Sequence, residues 1–160
     1  MFNIGDKAVY PMHGVGIIES IESRDICGIE QNFYVLKILD NGMTIMVPEG
    51  NIDDVGLREV ISKRKVRQIY KILEERDVVL DNQTWNRRYR EYTEKIKSGS
   101  PVEIAKVLRD LCVLRCDKDL SFGERKMFDM AQSLLVKEIS VAKNIDEDKV
   151  EEDFRKILSL

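Results

Sequence analysis

Short apolar runs separated by turn residues fill the first third of the chain. Four of them, KAVYP, GVGIIESI, QNFYVLKIL and GMTIMVP, are rich in β-branched and aromatic residues, a composition typical of strands. The tripeptide DNG at 40–42 separates the last two runs, and its Asn-Gly pair suits the positive φ angles of a two-residue hairpin turn. Pro11 and Pro48 have no backbone N–H, so they indicate strand ends or edges. Residues 1–55 are therefore predicted to form a small, strongly bent barrel of the SH3 or Tudor type.

Beyond about residue 58 the apolar positions recur with the period of a helix. One such segment has a single apolar stripe, as expected for a helix that buries one face, made of Ile104, Leu108, Leu111 and Cys112. The pattern predicts five helices, at about 59–76, 84–98, 101–115, 122–143 and 145–158. Because the connections between them are short, the segment 56–160 is predicted to be a five-helix bundle. The expected fold class of the whole chain is α+β in two domains.

Three capping boxes support the predicted helix starts. They begin at Ser100, Ser121 and Asn144, and each places a side-chain oxygen acceptor before the helix and an acidic residue three positions later. Pro101 follows the first cap, at the helical position where proline is best tolerated. Gly99 lies just before the same cap and is predicted to end the preceding helix.

The charge of the chain is unevenly distributed, although its net value of −3 is small. Residues 1–55 carry nine acidic and three basic side chains, whereas residues 62–98 carry eleven basic and six acidic ones. With 43% hydrophobic and 34% charged residues, the composition indicates a folded globular protein. An acidic first domain and a locally basic middle indicate two regions with different partners, and any nucleic-acid site is expected to be a local patch.

No apolar run approaches the ~20 residues of a membrane helix, and no basic-then-apolar leader is apparent, so we expect a cytoplasmic protein without membrane contact. Enzyme signals are weak. His13 is the single histidine, and phosphate-loop, nucleophile-elbow and zinc-protease motifs are missing. A metal site needs more ligands than Cys112 and Cys116 supply, so the three cysteines are interpreted as small buried residues. We therefore expect a non-enzymatic protein without cofactor or metal.

The segment TWNRRYREYTEKIK at 84–97 holds the only tryptophan of the chain, followed directly by Arg87, Arg88 and Arg90. In a helix Trp85 shares one stripe, which normally faces a core, with Tyr89, Tyr92 and Ile96. Its place in the first turn and the arginines behind it favour an outward indole instead, because guanidinium groups and an aromatic ring suit a phosphate backbone. Proteins that hold DNA open insert such apolar wedges beside phosphate contacts. Both interpretations hold together if Trp85 is the exposed end of a stripe whose later members lie in the core.

Two further groups of basic residues are candidates for phosphate contact. The first predicted helix carries a run that is typical either of a solvated face or of DNA contact, namely Lys63, Arg64, Lys65, Arg67 and Lys71. Arg125 and Lys126 follow the Ser121 cap, in a first turn where basic side chains oppose the helix dipole. An anionic ligand offsets this cost, and backbone N–H groups at a helix start bind phosphates.

Sequence motifs that resemble one known family run along nearly the whole chain. The first half carries FNIGDKAVYPMHGVGIIESIE, then Arg24, Gly28, VLKI and VPEGN, and the second half carries WNRRYRE, SG, VLRDL and LSFGERKM. The first set resembles the RNA-polymerase-interacting module that transcription–repair coupling factors also carry. The second set resembles the helical domain peculiar to the CarD/CdnL family of bacterial transcriptional regulators. The absence of helicase motifs favours CarD/CdnL over a fragment of a coupling factor.

The resemblance implies a division of labour between the two halves. The Tudor-like domain docks on the β subunit of bacterial RNA polymerase, largely through a sheet edge, and the helical domain reaches promoter DNA just upstream of the melted region. Trp85 matches the family's minor-groove wedge, and basic DNA-domain positions fall on Arg87, Arg88, Arg90 and Arg125. Polymerase contacts fall on Arg24 and on the segment Met46, Val47 and Pro48. Met46 departs from family members that have a second polymerase-contacting arginine there, which implies either docking that relies more on main-chain pairing and apolar contact or weaker docking.

Two other functions compete with this expectation. In the first, the chain is a protein-interaction adaptor whose helical half binds another protein, with Trp85 buried. In the second, residues 1–55 are an RNA-binding barrel of ribosomal type, although their acidic balance argues against it. We expect a monomer that contacts promoter DNA largely without sequence readout, since phosphate contacts and minor-groove wedging carry little base information.

Overall fold

A computed structural model describes residues 2–77, 84–117 and 119–158, and it divides the chain into two compact units, 1–60 and 61–160. The division lies five residues beyond the predicted end of the first domain at 55. The reason is a short strand, Arg58–Glu59, that pairs with the first strand of the sheet through Val9 and Ala8.

The first unit is a five-stranded antiparallel sheet in the order β4-β3-β2-β1-β5. Its strands are β1 Lys7–Tyr10, β2 Gly14–Ile26, β3 Ile29–Ile38, β4 Thr44–Pro48 and β5 Arg58–Glu59. A short 3-10 helix, Glu49–Asn51, and helix α1, Ile52–Val55, lead from β4 to β5. The four-strand meander with a fifth strand returning to β1 confirms the predicted Tudor-like unit.

The connection between β3 and β4 is longer than predicted. It spans residues 39–43, and Gly42 has a φ angle of 71°. The Asn41 side chain accepts a hydrogen bond from the Met43 N–H at 2.9 Å, so it supports the loop from within. The predicted hairpin is confirmed, but the two-residue turn is wrong.

Alternate residues of β2 and β3 build the core of the first unit. Ile18 lies opposite Leu36 in the register, and both are fully buried, as is Ile38. A Cβ atom at Gly16 would lie 2.8 Å from the Leu36 side chain, so only glycine fits beside this packed pair. The ring of Tyr34, 2% exposed, meets the ring of Phe2 edge-on at 6.1 Å.

The described residues of the second unit contain the five predicted helices. They are α2 Lys63–Glu74, α3 Trp85–Lys97, α4 Pro101–Asp117, α5 Phe122–Lys143 and α6 Glu147–Leu158. Helix α2 begins four residues later than predicted because Ser62 caps it, its hydroxyl accepting from the Lys65 N–H at 3.2 Å. Together the two units confirm the α+β fold class.

The three predicted capping boxes have different outcomes. The Ser121 box is complete: its hydroxyl accepts from the Glu124 N–H at 3.3 Å, and the Glu124 carboxylate accepts from the Ser121 N–H at 2.9 Å. At Ser100 the hydroxyl accepts from the Glu103 N–H at 3.5 Å, which is one half of a box. Asn144 does not start a helix but ends α5 in the left-handed region at φ 55°, so the third box is wrong.

Leucine, isoleucine and phenylalanine side chains from all five helices form the core of the second unit. The largest fully buried ones are Ile69, Leu73, Ile96, Leu108, Leu111, Leu135, Ile139 and Phe154. Burying each such side chain is worth about 1.5–3 kcal/mol, so the helical unit has a substantial core of its own. Glu138, 4% exposed, accepts from the Ile61 N–H at 3.0 Å and holds the start of the unit against α5. In the described parts of the chain no helix is long and apolar enough to cross a membrane.

Candidate functional site

Trp85 lies in the first turn of α3, behind the N-cap Thr84, and its indole is half-buried. Two neighbours bound the ring. The Tyr89 ring meets it edge-on, with centroids 5.6 Å apart and planes inclined at 62°. On α5, a Cβ atom added to Gly123 would lie 3.1 Å from the indole Cζ2. The indole therefore rests on the bare backbone of the first turn of α5, outside the core cluster.

Tyr89 is 47% exposed, so the prediction that it is a core residue is wrong. Tyr92 and Ile96 are 4% and 2% exposed, and their prediction as core residues is confirmed. Residues of an α-helix are spaced by about 100°, which places Tyr89 about 60° around α3 from Tyr92. That rotation moves Tyr89 out of the core and against Trp85.

The buried hydroxyl of Tyr92 is in a strongly charged neighbourhood. Burial raises its pKa above the usual range, the charge of Asp110 raises it further, and the charge of Arg88 lowers it. Arg88 is half-buried, and about 60° separates it from Trp85 around α3. Of the three arginines, it is therefore the one on the same side of α3 as Trp85.

Arg87 and Arg90 leave α3 on the side away from Trp85, about 160° and 140° around the helix axis. Both are exposed, and the Arg87 guanidinium lies 3.8 Å from the Glu91 carboxylate. An exposed pair at this distance is worth about 0–1 kcal/mol, so it leaves Arg87 available to another anion. The three arginines that follow Trp85 in sequence thus do not form one cluster around it.

Phe122, the first residue of α5, is 78% exposed and was missed by the sequence analysis. The Lys126 ammonium lies 5.5 Å from the centre of its ring, within the range of a cation–π contact. Lys126 also lies between Phe122 and Gly123 around α5, about 40° and 60° from them. It therefore lies on the side of α5 that carries both Phe122 and the glycine against which the indole rests.

Arg125 points to the other side of Phe122, about 160° around α5 from Gly123. Its guanidinium donates to the Leu120 carbonyl oxygen at 3.4 Å, which keeps it at the start of the helix. We define the aromatic surface as five half-buried or exposed side chains near the starts of α3 and α5: Trp85, Tyr89, Phe122, Arg88 and Lys126. It combines three rings with two cations.

The predicted polymerase residues lie on β2 and β4 of the sheet. Arg24 is opposite Gln31, Pro48 is opposite Phe33 and Met46 is opposite Val35. Because Gln31, Phe33 and Val35 alternate along β3, all these side chains share one face. Val47 lies on the other face and is 1% exposed, so its main chain on the edge strand is the part that a partner can reach, and polymerase contact at this position stays a prediction.

On this face Arg24 is exposed, with its guanidinium 3.1 Å from the Glu22 carboxylate, and Met46 is 36% exposed. Beyond Arg24, towards the tip of the β2–β3 hairpin, Ile26 and Ile29 pair directly and are 44% and 64% exposed. Sequence reasoning missed this pair. Arg24 thus has an apolar pair on one side and the Phe33–Pro48 pair on the other.

The basic residues of α2 surround a buried stripe of Val66, Ile69, Ile72 and Leu73, and most of them are exposed. Tyr70 is half-buried, and its hydroxyl donates to the Asp153 carboxylate at 3.3 Å. Burial, followed by the charge and hydrogen bond of Asp153, raises the pKa of Tyr70 to about 12. DNA contact by the α2 residues stays a prediction.

The cysteines do not share one environment. Cys112 is buried, and its Sγ lies 3.4 Å from the Leu158 carbonyl oxygen, as expected for a small core residue whose thiol pKa is raised by burial. Cys27 and Cys116 are exposed, so their interpretation as buried residues is wrong. Within the described ranges no cluster of three or more histidine, cysteine or acidic side chains is placed to hold a metal.

Both halves of the chain match family models. Residues 2–61 match the CarD-like/TRCF RID domain, and residues 68–155 match the CarD C-terminal domain. The chain is 39% identical over 152 residues to "Putative transcription factor YdeB" of Bacillus subtilis (strain 168), and the match spans 94% of this chain and 97% of that protein.

Two solved structures from Myxococcus xanthus are similar to the first half. CdnLNt is 54% identical to this chain with a TM-score of 0.34, and the match spans 39% of this chain and 89% of CdnLNt. The 72-residue N-terminal domain of CarD, whose structure was determined by NMR in solution, is 30% identical to this chain with a TM-score of 0.33. The match spans 37% of this chain and 79% of that domain.

Proposed function

The chain belongs to the CarD family of transcription factors, and we propose that it stabilises the open promoter complex of bacterial RNA polymerase. Its first unit binds the β subunit of the polymerase, and its helical unit contacts promoter DNA just upstream of the melted region. The protein acts as a monomer in the cytoplasm and works by binding alone. The observation that carries the DNA half of the proposal is the half-buried Trp85 indole, held at the surface between two helix starts.

An indole in this position favours separated strands over paired ones. A ring inserted at the upstream fork stacks on an exposed base or sugar, a surface that closes when the strands pair again. A ligand that binds only one of two states shifts the population towards that state by its binding free energy. Stacking of one aromatic side chain is worth about 1–3 kcal/mol. Because part of the indole is already covered by Tyr89 and Gly123, we expect the lower half of that range.

The cations of the aromatic surface hold the DNA backbone around the wedge. Lys126 lies on the side of α5 that carries Phe122, Arg88 lies on the side of α3 that carries Trp85, and both contact the phosphates flanking the fork, while Phe122 adds a further exposed ring. Arg87, Arg90 and Arg125 point away from the indole and reach phosphates farther along the duplex. These contacts position the protein without reading bases, so we propose little sequence preference.

Docking to the polymerase supplies the local concentration that weak DNA contacts need. Edge strand β4 offers main-chain groups for strand addition, with Met46 and Pro48 as apolar contacts beside it. Arg24, on the same sheet face, supplies the charged contact. Tethering makes the second contact intramolecular, so an acidic protein with modest affinity for free DNA still engages the promoter.

One observation favours a second candidate function, a polymerase adaptor that does not touch DNA. Exposed aromatic rings beside an arginine are also the residues that dominate protein–protein contacts, and Phe122 is 78% exposed. In that case the aromatic surface binds a protein.

Open-complex lifetimes separate the two functions. The lifetime of a polymerase–promoter open complex is measured after competitor challenge, with wild-type protein, Trp85→Ala or no addition. We expect the wild type to lengthen the lifetime and Trp85→Ala to lose most of that gain while retaining polymerase binding. An equal gain from a folded Trp85→Ala protein would favour the adaptor.

A further inference from the structure

Gly123 determines where the indole lies, and we propose that it is a positioning residue for Trp85. The inference rests on the proposed role of Trp85 as a wedge, and it adds a residue on a different helix to that role. Gly123 touches no DNA in this scheme; it acts by offering backbone without a side chain.

The contact is specific to one edge of the ring. A Cβ atom at position 123 would lie 3.1 Å from Cζ2 and 3.6 Å from both Cε2 and Nε1. These are contiguous atoms along one edge of the indole, so that edge lies against α5. The opposite edge, with Cε3 and Cζ3, is farther from Gly123.

Backbone conformation does not explain a glycine here. Gly5, Gly28 and Gly42 have positive φ angles and empty space around their Cα atoms, so they serve turns. Gly123 is helical, where glycine is less favourable than alanine by about 1 kcal/mol. The reason for glycine at this position is therefore space, and the atoms that use the space belong to Trp85.

Tyr89 supplies the second wall. Its ring meets the indole at 5.6 Å, so Trp85 is bounded by Tyr89 from its own helix and by Gly123 from α5. A ring fixed before binding loses less rotamer freedom at the fork, and freezing one such side chain corresponds to about a 2- to 10-fold loss in binding. Gly123 thus keeps the wedge in one orientation.

Replacement at position 123 has a graded steric effect. Alanine brings one atom to 3.1 Å, which a shift of the ring by a few tenths of an ångström relieves. Leucine fills the space of the ring edge and turns the indole towards solvent. Because both residues are better helix formers than glycine, neither change is expected to unfold α5.

Because Trp85 is the only tryptophan, its fluorescence in the full-length protein reports on the indole alone. The test compares Gly123→Ala, Gly123→Leu and the control Ser133→Leu, a position farther along α5. For Gly123→Leu we expect red-shifted emission, stronger acrylamide quenching, and an open-complex lifetime gain reduced by about 2- to 10-fold. Gly123→Ala shifts the same way but less, and Ser133→Leu matches the wild type.

Two results would overturn the inference. Unchanged quenching in a folded Gly123→Leu protein would mean that the ring does not rest on Gly123. Changed quenching with a full lifetime gain would mean that the position of the ring is unimportant. Trp85→Ala, measured in parallel, separates this failure from that of the proposed function. If only Trp85→Ala loses the gain, the proposed function stands and Gly123 has no positioning role; if neither does, both proposals fail. If circular dichroism shows that Gly123→Leu has a lowered Tm, acrylamide quenching and the open-complex lifetime gain are measured on Gly123→Ala and Tyr89→Ala instead.

Discussion

Replacing Ser121 by alanine tests the platform on which the indole rests. The hydroxyl accepts from the Glu124 N–H, and the Glu124 carboxylate accepts from the Ser121 N–H at 2.9 Å. Loss of an N-cap side chain costs about 0.5–2 kcal/mol, typically about 1. The reciprocal bond is weakened as well, and one hydrogen bond is worth about 0.5–1.5 kcal/mol. We therefore expect Ser121→Ala to lower the stability of the helical unit by about 1.5 kcal/mol.

The matched control is Ser62→Ala at the start of α2. Ser62 also caps its helix, with one bond to the Lys65 N–H at 3.2 Å, but a lysine occupies the third position, so no reciprocal carboxylate bond forms. We expect this variant to lose about 1 kcal/mol. In a unit of this size 1 kcal/mol lowers Tm by roughly 4–8 °C, so the expected decreases are about 4–8 °C for Ser62→Ala and 6–12 °C for Ser121→Ala.

Thermal unfolding followed by circular dichroism gives the Tm of each variant, and quenching of tryptophan fluorescence gives the exposure of the indole. Before unfolding, fraying of the first turn of α5 moves Gly123 and exposes the indole, so quenching increases in Ser121→Ala and not in Ser62→Ala. If Ser62→Ala were the more destabilised variant, or if quenching rose equally in both, the complete capping box would not support the indole platform.

The remaining predictions concern the two partners and pH. Arg24→Glu is expected to abolish polymerase association in a pull-down with the helical unit still folded; retained binding would remove Arg24 from the docking face. In Lys126→Ala, the slope of log K for promoter-complex formation against log salt concentration is expected to be smaller by about 0.9, because one phosphate is no longer neutralised. Arg64→Ala, on α2, is measured for comparison. An unchanged slope in Lys126→Ala would place Lys126 off the DNA. Tyr70 has its pKa raised from 10.0 to about 12, so its contribution to stability is complete below pH 10 and is lost as pH rises towards 12. When phenol ionisation is followed by absorbance against pH, Tyr70→Phe should lack one phenol that ionises late in the wild type. A titration curve that is unchanged at high pH would contradict this.

The sequence predicts most of the fold because local signals and burial agree. Apolar stripes place all five helices of the second unit, and Ser121 with Glu124 marks the start of α5 by chemistry that needs no tertiary contact. Asn144 shows the limit of such signals, because asparagine suits both an N-cap and a left-handed helix end. The conformation of the residues around Asn144 decides which of these two roles it takes.

The candidate site is less predictable, because it depends on which face of each helix meets the core. Tyr89 lies on an apolar stripe but just beyond the edge of the packed face, a rotation that the period alone does not resolve. Phe122 carries a usable signal, since it lies about 120° around α5 from the buried Phe128 and is therefore off the stripe. The contact between Trp85 and Gly123 joins two helices distant in sequence, and a single sequence gives no indication of it.

Open-complex lifetimes on paired and premelted promoters test most directly whether Trp85 favours separated strands. The same promoter is used fully paired or with a mismatched bubble that cannot close, and the lifetime with wild-type protein is divided by that with Trp85→Ala. On the paired promoter we expect a ratio of about 5–30, which corresponds to about 1–2 kcal/mol, and on the mismatched bubble a ratio near 1. The same ratio on both templates would contradict the account, because the indole would then hold DNA without opposing strand closure.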